Sequence, residues 1–165
     1  MSPSDAGTPN HFADLAEALA LLAGAGVPCL VFGGWAEELL ALRPPGLHRD
    51  IDLVHLNDSF AAADLALETR RLPDEIRAKR FPHKRAFAWR GFCCEILLIQ
   101  DSHVQPVTWF WGDVPLFWQA PVEHAGPVLR AGHRFKVVST ANLRLYRARH
   151  RDLQPWRWRT FSGAR

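Results

Sequence analysis

Cysteine is scarce here and arranged against cross-linking. The chain holds three, Cys29, Cys93 and Cys94, an odd number with two adjacent inside an apolar run. That is neither a disulfide framework nor a spaced zinc pair, and buried free thiols in a reducing compartment are the simplest reading. Long apolar runs are also missing. No segment approaches the ~20 apolar residues a membrane span needs, and the opening MSPSDAGTPN has neither a basic nor an apolar signal region. The expectation is a cytoplasmic protein with no membrane partner. Charge of one sign is modest as well. Lys and Arg number 20 against 17 Asp and Glu, a net +3. This suits an anionic substrate but does not define a nucleic-acid-coating protein.

What is present is a chain of 165 residues, 48% apolar, enough for one domain with one core. Residues 1–10 read as a disordered lead, 11–150 as the domain and 151–165 as a basic, aromatic tail. His11–Ala23 has helical apolar spacing and ends at Gly24 and Gly26. Val27–Phe32 reads as a strand broken by Gly33-Gly34, and Trp35–Leu42 as a helix stopped by Pro44-Pro45-Gly46. A strand is expected over Arg49–His55 and a helix over Phe60–Arg70. Lys84–Trp89 and Phe92–Gln100 read as a hairpin turning at Arg90-Gly91. Residues 101–133 give no clear pattern. Arg134–Val138 reads as a strand, and Ser139 or Thr140 as the cap of a helix running to about His150. No repeat or linker interrupts the order. The fold class is α/β (α+β), a small mixed sheet flanked by helices.

Three features carry chemistry. Asp50 and Asp52 sit two apart on a strand and project from one face, while Ile51 and Leu53 project into the core. Side by side they repel, and both stay ionised only with a cation between them. Mg²⁺ is the usual hard ion for such a pair, and a solvated strand end or arginine partners is the alternative. Glu95 lies in Phe92–Ile99, a run apolar on both faces, as in a central buried strand. A buried carboxylate needs compensation, by an arginine or by a metal. Gly33-Gly34, between strand and helix, lets backbone approach a phosphate, or is simply a tight turn.

Together, Gly33-Gly34-Trp35, a helix, and His48-Arg49-Asp50-Ile51-Asp52-Leu53 resemble the nucleotidyltransferase superfamily, whose fold is shared with the polymerase beta palm. The GGW and HRDID forms look most like its lincosamide and aminoglycoside branch. The resemblance covers residues 11–100 well and 134–150 loosely. It departs at Gly34, where other branches have Ser, and at Glu95, where Asp is usual. No second helical domain is evident, which leaves the acceptor to a dimer or to the aromatic segment.

The resemblance implies an enzyme that moves a nucleoside monophosphate from a nucleoside triphosphate to an acceptor hydroxyl, with release of pyrophosphate. It implies two Mg²⁺ ions on Asp50, Asp52 and Glu95, with Glu95 also able to take the hydroxyl proton, and β- and γ-phosphates seated on Gly33 and Gly34. A small-molecule acceptor, as in antibiotic modification, is the favoured expectation. A toxin-type enzyme acting on tRNA or protein and a module that binds nucleotide without turnover are the alternatives. A homodimer fits the short chain. A cation should complete the phosphate site: Lys136 is favoured over Lys84, Arg85 and Arg144. His48 shares the strand face of Asp50 and either borders the site or lies in a turn. Trp109, Phe110, Trp111, Phe117 and Trp118 either stack an acceptor or pack as core under a loop. Trp156 and Trp158, alternating with Arg157 and Arg159, read as a packed tail or a polyanion contact.

Overall fold

The computed structural model describes residues 12–154. The lead and the tail tryptophans Trp156 and Trp158 lie outside them. Eight strands and four helices follow one another: α1 (Phe12–Gly24), β1 (Leu30–Val31), α2 (Gly33–Leu39), β2 (Asp50–Leu56), α3 (Ala61–Glu68), β3 (Lys84–Trp89), β4 (Phe92–Ile99), β5 (Val107–Phe110), β6 (Val114–Phe117), β7 (Val128–Arg130), β8 (His133–Phe135) and α4 (Thr140–Arg149). A short 3₁₀ turn at Arg77–Lys79 precedes β3.

The main sheet runs β1-β2-β4-β3. β1 is antiparallel to β2, β2 parallel to β4, and β4 antiparallel to β3. The apolar run of β4 is thus the inner strand its composition required, hydrogen-bonded on both sides. Its register against β2 sets Asp50 opposite Cys93 and Asp52 opposite Glu95. Adjacent parallel partners project from the same face, so the aspartates and the glutamate converge. The opposite face carries the core: Ile51, Leu53, Cys94 and Ile96 are buried, with Leu15, Ala18 and Leu22 of α1 in the same cluster.

The strand expected over Val27–Phe32 forms a ladder only at Leu30–Val31. Val27 N–H is spent on the end of α1, donating to Leu22 O (2.9 Å), and Pro28 has no N–H to offer. The strand expected over Arg134–Val138 is split. β8 pairs with β7, while the following residues run parallel to β1, with Val31 N–H donating to Lys136 O (2.9 Å) and Val138 N–H to Val31 O (3.0 Å). Residues 107–135 hold two hairpins, β5-β6 and β7-β8. The helix expected at Ser139 is capped as read, the Ser139 hydroxyl accepting from Asn142 N–H (3.3 Å). Among the described residues, no helix is long and apolar enough to cross a membrane.

Candidate active site

The Gly33-Gly34 turn is shaped by what lies beneath it. Gly33 has φ 61°, and a Cβ there would come within 2.4 Å of Asp52 Oδ2 and 2.9 Å of Asp52 Cβ. Only glycine permits both that backbone conformation and that approach. Phe32 N–H donates to Asp52 O (2.9 Å), tying the turn to β2. A Cβ on Gly34 would meet His48 Nδ1 and Arg43 Nη1, each at 3.0 Å.

The turn, the acids and one face of α4 enclose a cavity of about 440 Å³, lined by Gly33, Gly34, Glu37, Asp50, Asp52, Lys84, Glu95, Tyr146 and Arg147 among others. Leu143, Tyr146, Arg147 and His150 all reach it. Their spacing of three, four and seven is a single helical face, a signal readable in the sequence once the helix is placed opposite the sheet. Glu37, four residues after Gly33, is on the corresponding face of α2. It accepts both Arg147 Nε (2.5 Å) and Nη2 (2.6 Å), a forked pair joining α2 to α4. The hydrogen bonds from Arg147 hold the Glu37 carboxyl below its usual range against the effect of burial.

Asp52 is pushed up to about 6, first by burial and then by the charges of Glu95 and Asp50, with Lys84 and Lys79 acting the other way. Burial and the two neighbouring carboxylates act together against its charged form. Glu95 is compensated, and by neither of the options foreseen. Lys79 bonds to its Oε1 and Lys84 Nζ donates to its Oε2 (2.8 Å). Two of the three lysines in the sequence therefore converge on this carboxylate, and together they hold it below the usual range although burial acts to raise it. Among the described residues, no group of three His, Cys, Asp or Glu side chains is arranged to hold a metal ion. Asp50 and Asp52 supply hard oxygen donors side by side, which fits Mg²⁺ completed by phosphate oxygens. Glu95 is turned to lysine.

Lys136, expected to complete the phosphate site, does not line the cavity. Its neighbours Phe135 and Val137 are buried, so alternation sends Lys136 outward, exposed and away from the cavity. Of the other candidates, Lys84 lines the cavity. Arg144 lines an adjoining recess of about 400 Å³ with Arg43 and Arg147. Arg85 is engaged by Asp64 (2.6 Å) and lies over the Phe60 ring. His48 packs behind the turn, its ring 4.5 Å from Trp35 and its Nε2 3.5 Å from Glu38 Oε1. The aromatic cluster divides. Phe110 and Trp118 are core, while Trp109 and Phe117 are exposed. Trp111 faces a second cavity beside the first.

No family model matches the sequence, and no curated protein matches it. Solved structures do. The lincosamide antibiotic adenylyltransferase LnuA, in its lincomycin-bound structure, superposes with a TM-score of 0.62 at 14% identity, over 84% of this chain and 87% of that one. A Thermotoga maritima protein described as a nucleotidyltransferase gives 0.59 at 16% identity, over 93% of both chains. ANT(2'')-Ia in complex with adenylyl-2''-tobramycin gives 0.58 at 14% identity, over 87% and 77%. The chain therefore has the nucleotidyltransferase fold.

Proposed function

We infer that this protein is a Mg²⁺-dependent nucleotidyltransferase, moving a nucleoside monophosphate from a nucleoside triphosphate to the hydroxyl of a small acceptor. The observation that carries this reading is the packing of Asp52 under Gly33, which puts a bare-backbone turn directly over a pair of repelling carboxylates. Because no side chain fits at position 33, the turn keeps bare backbone facing the acids, where one ligand can meet both. A triphosphate with its cation supplies what each lacks. The adenylyltransferase activity of LnuA and the adenylylated tobramycin bound to ANT(2'')-Ia agree with this choice.

Gly33 and Gly34 would seat the β- and γ-phosphates, with Lys84 meeting their charge. Asp50 and Asp52 would hold Mg²⁺, which when bound neutralises phosphate charge and polarises the α-phosphate. The acceptor oxygen attacks the α-phosphorus in line, and the bond from that phosphorus to the pyrophosphate oxygen breaks. Pyrophosphate leaves with the electron pair. The hydroxyl proton would pass to Glu95, with Lys84 then meeting the phosphates in place of that carboxylate's Oε2. Positioning and charge neutralisation account for most of the acceleration.

The test is pyrophosphate release with each of the four common nucleoside triphosphates, against a panel of hydroxyl-bearing acceptors and bulk tRNA. Activity that needs Mg²⁺ and vanishes in Asp50→Asn and Asp52→Asn, with the fold kept, supports the reading. A rate unchanged in both variants removes the site assignment.

A further inference from the structure

The second cavity, about 560 Å³, shares the wall Lys84, Tyr146 and His150 with the first. Any molecule in it lies next to the carboxylate cluster without entering through the glycine turn. Its far side is aromatic and fixed in place. Phe81 stands edge-on to Trp111 with ring centres 4.8 Å apart, and stacks on His83 at 5.7 Å. Trp111 is anchored twice: its backbone N–H donates to His83 Nδ1 (3.0 Å) and its indole Nε1 to Leu153 O (2.7 Å). Two rings of this wall, Phe81 and Trp111, are half-buried. A wall held this way offers flat apolar surface at little cost in side-chain entropy.

The charge of the lining is one-sided. Lys79 and Lys84 both border the cavity, and among the described residues no Asp or Glu does. Glu95 lies behind them and balances one of the two. Lys79 keeps 41% of its side chain exposed. His83 is buried and held neutral by that burial and by Lys84, so it adds no competing charge. A polycation placed here would meet two ammonium groups at the cavity edge, whereas a carboxylate would meet the exposed end of Lys79 opposite its contact with Glu95.

We propose that this second cavity is the acceptor pocket, and that it takes a flat aromatic molecule bearing a hydroxyl and a negative charge. The proposal rests on the transfer reaction inferred above and specifies its substrate class. The ring lies flat against the wall that Phe81 and Trp111 form together, the anionic group pairs with Lys79, and the hydroxyl points past Lys84 and Tyr146 to the α-phosphate. Transfer then proceeds as written above: the hydroxyl oxygen gains the α-phosphorus, its proton goes to Glu95, and pyrophosphate leaves.

The full chain is titrated with hydroxynaphthoate, a flat, fluorescent, hydroxyl-bearing carboxylate, with and without Mg²⁺-ATP, and with tobramycin as a polycationic competitor. Saturable binding to the wild type is expected, with tobramycin unable to displace it. Trp111→Ala and Lys79→Gln are each expected to weaken it about tenfold, the scale of a lost stack or charged contact. Lys79→Gln keeps the aromatic wall, so it still decides the matter should Trp111→Ala lose its fold by circular dichroism. Failure of hydroxynaphthoate to bind, equal binding by Lys79→Gln, or displacement by tobramycin overturns the proposal. Binding of Mg²⁺-ATP is read in the same cells. Its absence would remove the nucleotidyl-transfer reading, while the ATP-free titration still reports on the cavity.

Discussion

Replacing Gly33 with alanine adds a single methyl group at the place where the turn and Asp52 are closest. Two costs add. Holding a non-glycine residue at φ 61° costs about 1–2 kcal/mol. The new Cβ would lie 2.4 Å from Asp52 Oδ2 and 2.9 Å from Asp52 Cβ, and because the second atom cannot swing away the backbone must move, at about 1–3 kcal/mol. The expected loss is about 2–5 kcal/mol, a large share of the ~5–15 kcal/mol of a typical domain. Gly26 supplies the control. It has φ 80° and nothing within 4 Å of its added Cβ, so Gly26→Ala carries only the conformational cost, about 1–2 kcal/mol. Urea denaturation of both variants measures the difference. Equal destabilisation of the two would refute the claim that Asp52 dictates glycine at position 33. The same Gly33→Ala protein, where it folds, should bind nucleoside triphosphate poorly because Asp52 has been pushed out of place.

Arg147→Ala removes the fork that holds Glu37, whose side chain is 11% exposed, and leaves that carboxylate with Arg43 at 3.8 Å. Arg147 is itself mostly exposed, so we expect a modest loss of about 1–2 kcal/mol, read as a lower melting temperature. His83 gives a pH dependence. Burial and then Lys84 lower its pKa from 6.5 to about 4, so the unfolded chain takes up a proton the folded one refuses. Stability from this group is full above pH 6.5, declines as pH falls, and is lost by about pH 4, a span of a few kcal/mol at most. Denaturation curves for His83→Gln should show a shallower decline over that window than wild type. Ser139→Ala should cost about 1 kcal/mol by uncapping α4, measurable by urea titration.

The site's main elements were legible because each rests on a short-range rule. Asp50 and Asp52 share a face by strand alternation, and the all-apolar flanks of Glu95 place it on an inner strand. The register that sets Asp52 opposite Glu95 depends on sheet order, which no local pattern encodes. Lys79 was missed for a related reason: it lies on a 3₁₀ turn with no periodicity, and only the packing of that turn against β4 brings it to Glu95. Lys136 misled because its strand was read as one piece, whereas Phe135 and Val137 face the core and turn it outward. The hairpins of residues 107–135 escaped notice because their turns use Trp111-Gly112 and Ala131-Gly132, with the non-glycine residues at φ 60° and 50°. Asparagine or aspartate is the usual first residue of such pairs. Arg90-Gly91 turns in the same way at φ 48° and 79°, and was readable because the strands on either side are strongly apolar.

The most direct test of the central claim is calorimetric titration of nucleoside triphosphate into wild type and Asp52→Asn, with and without Mg²⁺. Burial, and then the charges of Glu95 and Asp50, push Asp52 up to about 6, so a neutral amide there should let the variant fold at least as well as wild type. Triphosphate binding should be Mg²⁺-dependent in wild type and lost in the variant. Binding of equal strength in both, or no dependence on Mg²⁺, would mean that the carboxylates beneath the glycine turn serve some other purpose.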